Sequence, residues 1–250
     1  MRFLVGGIVV LLWAWGTGRL ASFRIERDEW RPLLFLGGLF TVQLGLMNVG
    51  TNLTTATHAT ILFNSYAVHT VVLAHFLIPG DHLTLRKAAG VAVAYSSAVI
   101  LLARQWTAGA STLTGDLIVA AGAVLLAERT IYLARAVQRL DAVKLLLAQA
   151  VVGTLAFLVI SSLIETHRPT RWTVSLALTV LYQGTVIAGF NFIMNLRLLR
   201  RYRPSTLAAC FLTTPIFGVL EASLLTGDRL TPDLLLSSVL VAIGIGLTIR

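Results

Sequence analysis

Charged side chains are scarce in this chain. They make up 12% of its 250 residues, about half of the roughly 25% found in soluble globular domains. With 56% apolar residues and a mean hydropathy of +0.82, the shortage points to lipid rather than water as the solvent. There is one cysteine, Cys210, in an apolar stretch, which excludes a disulfide framework and a cysteine-based metal site. Acidic residues number 11 against 20 Lys and Arg, leaving a net charge of +9. The arginines fall in short clusters between apolar runs rather than along one face, so they read as topology charges and not as a nucleic-acid footprint. A glycine-rich phosphate loop, a nucleophile elbow and a His-Glu pair at zinc-ligand spacing are missing, so nothing supports soluble-type catalysis and no cofactor or metal is expected. Residues 3–20 carry no strong basic start and no small-residue cleavage site, so they read as a retained helix and not as a signal peptide.

What is present is a series of long apolar runs. A helix needs about 20 apolar residues to cross a bilayer of roughly 30 Å. Nine segments qualify, at about 3–20, 32–51, 56–79, 86–104, 115–136, 143–164, 172–196, 205–226 and 232–249. The expected fold class is all-α, a polytopic membrane protein with about nine transmembrane helices and no soluble domain. The links after the first, third, fifth and seventh segments, with Arg250, hold fourteen of the 20 Lys and Arg residues. Positive charge is retained on the cytoplasmic side, which sets the C-terminus inside and Met1 outside, in a multi-pass protein of the cytoplasmic membrane.

The chain also repeats itself. At an offset of 147, Val72-Leu73 matches Val219-Leu220, and Gly80-Asp81-x-Leu83-Thr84 matches Gly227-Asp228-x-Leu230-Thr231. Met47-Asn48 meets Met194-Asn195 at the same spacing. This divides the chain into a first repeat, 1–110, and a second, 111–250. Five helices per half is an odd number, which makes the halves inverted in the membrane, as in many transporters. The first half then holds four helices, and the expectation is that an ancestral first helix is absent, with a genuine nine-helix protein as the alternative.

Pro215 stands thirteen residues before Asp228, followed by the Leu-Thr pair and by Gly244 and Gly246; in the first half Val68 takes the proline position and Asp81 the acid, with Gly90 beyond. In this the sequence resembles the drug/metabolite transporter superfamily, specifically its EamA-type ten-helix members. It departs in having Asp for Glu twice, Val for Pro once, and no counterpart of the first helix. The resemblance covers nearly the whole chain and implies a carrier in the inner membrane, usually an exporter of metabolites, amino acids or drugs. Leu125-Leu126-Ala127-Glu128 further resembles the first-helix segment of the small multidrug resistance proteins, whose intramembrane Glu exchanges protons for cationic substrate.

Ionisable groups at membrane depth are costly and need a partner, a water cavity or a function. Glu128 is about twelve residues, or roughly 18 Å, into its span, and it is the candidate coupling or binding carboxylate. A permanently ionised structural partner of Arg129 or another cation is the competing reading. Arg129 points about 100° away and could instead hold a carboxylate. His58, Ser65 and His69 lie within about 20° of one line on the third span, a polar stripe suited to proton relay or to interhelical hydrogen bonding. Tyr182, Gln183 and Asn191 are candidate cavity lining, Gln183, Asn191 and Asn195 falling within an arc of about 120° on an α-helix. Pro215 is a candidate kink, Glu221 reads as interfacial, and Asp81 and Asp228 read as turn acids.

Together these point to a secondary carrier of a small metabolite, amino acid or drug-like solute, working by alternating access. Two rival classes stay open: an intramembrane enzyme acting on a lipid-linked substrate, which would need clustered acid and base groups at one face, and a degenerate, non-transporting membrane protein. The expected partners are a small-molecule substrate and the bilayer, with no nucleic acid. Homo-oligomerisation stays open.

Overall fold

Small polar residues start the helices where the turns were expected. Thr55 accepts at its hydroxyl from the His58 backbone N–H at 3.2 Å, Thr173 from that of Leu176 at 3.2 Å, and Asp141 Oδ1 from that of Val143 at 2.7 Å. Each satisfies one donor that a first helical turn leaves open. Pro204 and Pro232 stand at the first helical position, where the missing N–H costs nothing. Gly80 takes φ +79 in the Pro79-Gly80-Asp81 turn, a backbone state a side chain disfavours.

The computed structural model describes residues 1–18, 24–90, 92, 93, 96, 112–164, 173–210 and 232–249, and every regular element among them is helical. The helices are α1 (Arg2–Gly16), α2 (Trp30–Asn52), α3 (Ala56–Asn64), α4 (Tyr66–Leu77), α5 (Leu113–Ala136), α6 (Ala142–Ile164) and α7 (Val174–Tyr182). A π-helical stretch, Gln183–Asn191, then leads into α8 (Phe192–Arg201), followed by α9 (Pro204–Cys210) and α10 (Pro232–Ile249). Among the described residues five helices are long and apolar enough to cross a membrane: 30–52, 58–77, 113–136, 142–163 and 174–201. The protein is an all-α, multi-pass membrane protein. Residues 85–90 are helical; most of the expected spans 86–104 and 205–226 lies outside the described residues, with Pro215, Glu221 and Asp228.

Three differences from the sequence expectation are physical. The first helix stops at Gly16, because Thr17 and Gly18, with φ +68, turn the chain. The third span is not one smooth helix: it breaks at Ser65, whose hydroxyl donates to the Leu62 carbonyl at 2.6 Å. The seventh is wound with i→i+5 hydrogen bonds over nine residues in its middle.

The chain divides into two compact units. One comprises Met1–Thr41 and Tyr132–Arg201. In it α1 packs against α6, α7 and the π stretch through small residues. A methyl group on Gly6 would lie 2.8 Å from Ala188 Cβ, and one on Gly189 2.7 Å from Val9, the close approach by which helices associate where lipid removes the hydrophobic drive. Phe40 is edge-on to Phe3 and Phe192, at 5.1 and 5.9 Å. An apolar cavity among Phe3, Gly6, Val10, Phe40, Ala188 and Phe192 has no polar lining side chain. Lys144 Nζ donates to both oxygens of Glu29, at 2.7 and 2.6 Å, and holds its carboxyl below the usual carboxylate range.

The other unit comprises Val42–Ile131 and Tyr202–Arg250. Here α9 packs on α4 and α10, and α10 on α3. Ile61, Leu62, Val68, Ala74 and Val119 are buried. A methyl group on Gly50 or Gly122 would lie 2.7 Å from Val119 or 2.8 Å from Met47, so α2 and α5 run in direct contact. Asp81 ends this unit's turn, buried and paired with Lys87 Nζ at 2.8 Å, while the Leu83 N–H donates to His75 Nδ1 at 3.1 Å. Asp81 is thus a turn acid that ties the link to the helix after it.

Candidate functional site

Helix α5 sets the site because its two faces differ. Thr114, Leu117, Ala121, Val124, Glu128 and Arg135 recur at three, four and seven residues and are exposed, while Asp116, Val119, Ala123, Ala127 and Ile131 are buried. Glu128 therefore continues an open, largely apolar stripe, about 22 Å along a helix of about 36 Å. It makes no ion pair with any described residue. Arg129, one residue on, turns toward α2 and donates from Nη1 to Gln43 Oε1 at 2.9 Å. Gln43 is itself buried, 2% exposed. The structure thus gives the adjacent acid and base opposite roles: the base is engaged within the helix packing and the acid faces outward.

Nearer the start of α5 lies a second polar group. Asp116 is fully buried; the Thr54 hydroxyl donates to its Oδ1, and His58 Nδ1 stands 3.3 and 3.2 Å from its two oxygens. His58 is 7% exposed. The stripe His58, Ser65, His69 is only partly realised. His58 is turned onto Asp116, Ser65 spends its donor on its own helix, and His69 is half-buried on α4, beyond the break. Asp116 is a residue that sequence reasoning missed. The available signal was a histidine at one span start and an acid at the start of another, each in need of a partner inside apolar segments.

In the other unit Tyr182 is exposed, Gln183 half-buried and Asn191 exposed. The π winding alters the angle between successive residues, so the arc computed for an α-helix does not describe Gln183 and Asn191. Their side chains make no hydrogen bond with a described residue. Expected site residues therefore fall in both units: Ser65, His69, Glu128 and Arg129 in one, and Tyr182, Gln183 and Asn191 in the other. No three His, Cys, Asp or Glu residues gather into a metal-binding group among the described residues.

The model of the EamA-like transporter family matches residues 1–103 and 113–250. An uncharacterized transporter of Bacillus subtilis (strain 168), YvbV, is 21% identical over 98% of this chain and 79% of its own length. A second from the same organism, YoaV, is 18% identical over 98% of this chain and 84% of its own. An uncharacterized transporter of Clostridium kluyveri is 22% identical over 97% and 79%. A crystal structure 22% identical in sequence superposes with a TM-score of 0.74 over 99% of this chain and 84% of that one, a likeness of fold.

Proposed function

The chain belongs to the EamA-like transporter family, and we propose that it is a secondary carrier that exports a small, carboxylate-bearing metabolite such as an amino acid or organic acid. The observation that carries this reading is Arg129, held at membrane depth by Gln43 at 2.9 Å. A guanidinium is a planar fork matched to a carboxylate's two oxygens. An ionisable residue inside a span is retained for function more often than for packing. The family and the transporter-named relatives favour a carrier over an enzyme. Glu128 on the open stripe of the same helix is the group assigned to proton uptake, so that solute export runs against proton entry. The halves 1–110 and 111–250 act as inverted repeats that alternate access. The protein sits in the cytoplasmic membrane with its C-terminus inside, its partners being the solute and the bilayer.

The test uses purified carrier in proteoliposomes on a solid-supported membrane. Currents are recorded on jumps of pH and of amino acids, small carboxylates and organic cations. Carboxylate-dependent currents lost in Arg129→Gln and partly kept in Arg129→Lys are expected, as is loss of the pH-driven component in Glu128→Gln. Currents for organic cations alone, undiminished in Arg129→Gln, overturn the substrate class.

A further inference from the structure

We propose that the basic end of α8 is a binding site for an anionic phospholipid, with Arg197, Arg200 and Arg201 on the headgroup phosphate. The amphipathic pattern of Phe192–Arg201 builds it: Ile193, Leu196 and Leu199 are buried, and the three arginines are exposed. On an α-helix those arginines fall within an arc of about 100°. Arg197 is held in place, its guanidinium carbon 5.0 Å from the centroid of the Trp13 ring on α1. A guanidinium stacked by its face keeps its N–H edge for an oxygen ligand. Arg200 is fixed through its backbone, whose carbonyl accepts from Gln138 Nε2 at 3.4 Å. That bond sets the turn between α5 and α6, which carries the exposed Arg139, beside the last turn of α8. All of these residues belong to one compact unit.

The four guanidinium groups make no ion pair with a described residue. Glu29 is engaged by Lys144 and Asp141 Oδ1 by the Val143 N–H, while Glu26 and Asp28 are exposed on the link before α2. One or two cations would complement the negative end of the α8 dipole. Three arginines in its last five residues, with Arg139 on the adjoining turn, exceed that. The excess suits a ligand with negative charge and several acceptor oxygens, and a phosphate meets the guanidinium fork at two points. Position selects a lipid as the phosphate's source. Val186, Ile187 and Phe190 are exposed earlier in the same span, and Phe190 stands seven residues, about 10 Å, before Arg197. An acyl chain along these apolar side chains brings its headgroup to the arginines, the arrangement by which basic groups at the end of a span recognise anionic lipid. Binding asks nothing of the transported solute, so it stands apart from the carrier reading; the topology proposed above places the lipid in the cytoplasmic leaflet.

The test is native mass spectrometry of the full chain in detergent, titrated with dioleoyl phosphatidylglycerol or dioleoyl phosphatidylcholine. The two lipids share their acyl chains and a phosphate and differ in net charge. The parent protein should bind phosphatidylglycerol about tenfold more tightly, and Arg200→Gln/Arg201→Gln should weaken that binding by about fivefold per arginine removed. Arg24→Gln/Arg27→Gln takes the same charge from exposed positions on the link after α1 and should leave the affinity within about twofold. Trp13→Leu, which frees Arg197, should weaken binding, whereas Trp13→Phe keeps a ring face and should not. Equal affinity of the parent for the two lipids overturns the site without recourse to any variant. Equal losses in the two double variants overturn it as well, because they reduce it to overall charge. Displacement of phosphatidylglycerol by inorganic phosphate, beyond that caused by sodium chloride at the same ionic strength, overturns the lipid in favour of a free anion.

Discussion

Arg129 and Gln43 are joined at 2.9 Å between α5 and α2, although one lies in each sequence half. The pair sits where lipid, not water, would surround an unaccompanied guanidinium, so the amide is part of what makes the charge tolerable there. Gln43→Leu removes one acceptor from the buried guanidinium and should lower stability by about 1–3 kcal/mol, read as a drop in melting temperature of the detergent-solubilised protein. Gln43→Glu should restore much of the loss, by giving the guanidinium a charged acceptor, while weakening carboxylate transport through competition for the same fork.

The Glu29–Lys144 pair sets a pH dependence of stability. Lys144 depresses the Glu29 carboxyl below its ordinary value, so its contribution is full above the unfolded pKa of about 4.3 and is lost as pH falls through the lower native value. Glu29→Gln should therefore melt below the parent at neutral pH. The two curves should converge as pH falls through the native pKa; a gap that stays constant down to that range counts against the ion pair.

Gly37 has no room to grow. A Cβ there would lie 2.6 Å from Val152 Cβ, so Gly37→Ala should destabilise the protein by about 1–3 kcal/mol. Val152→Ala in the same chain should return part of that, and a double-mutant cycle in thermal unfolding measures the coupling.

Thr55 caps α3 through a 3.2 Å bond from the His58 N–H. Thr55→Ala should cost about 0.5–2 kcal/mol, and because the cap also fixes the residue that reaches Asp116, it should broaden the His58 ring signals in NMR. Thr55→Ser should do neither.

The span boundaries were legible because apolar length and turn chemistry are local. The segments expected at 32–51, 115–136, 143–164 and 232–249 are found at 30–52, 113–136, 142–164 and 232–249. What sequence could not give was the facing of single polar residues on helices that are apolar all round. Glu128 and Arg129 are consecutive, and only the packing of α5 against α2 decides which is engaged. The break at Ser65 and the π stretch after Tyr182 carry no proline, and their causes are a side chain satisfying its own helix and contacts with α1 at Gly184 and Gly189. The Asp116–His58 pair needed two separate spans to be brought side by side.

The π stretch has a consequence for the register of its span. Nine residues wound at i→i+5 form a shorter and wider coil than the same nine in an α-helix. They act as spare thread. Rewinding them as α-helix would push the basic end at Arg197, Arg200 and Arg201 along the span axis and rotate it. The upper segment from Val174 to Tyr182 would keep its own turn of the screw.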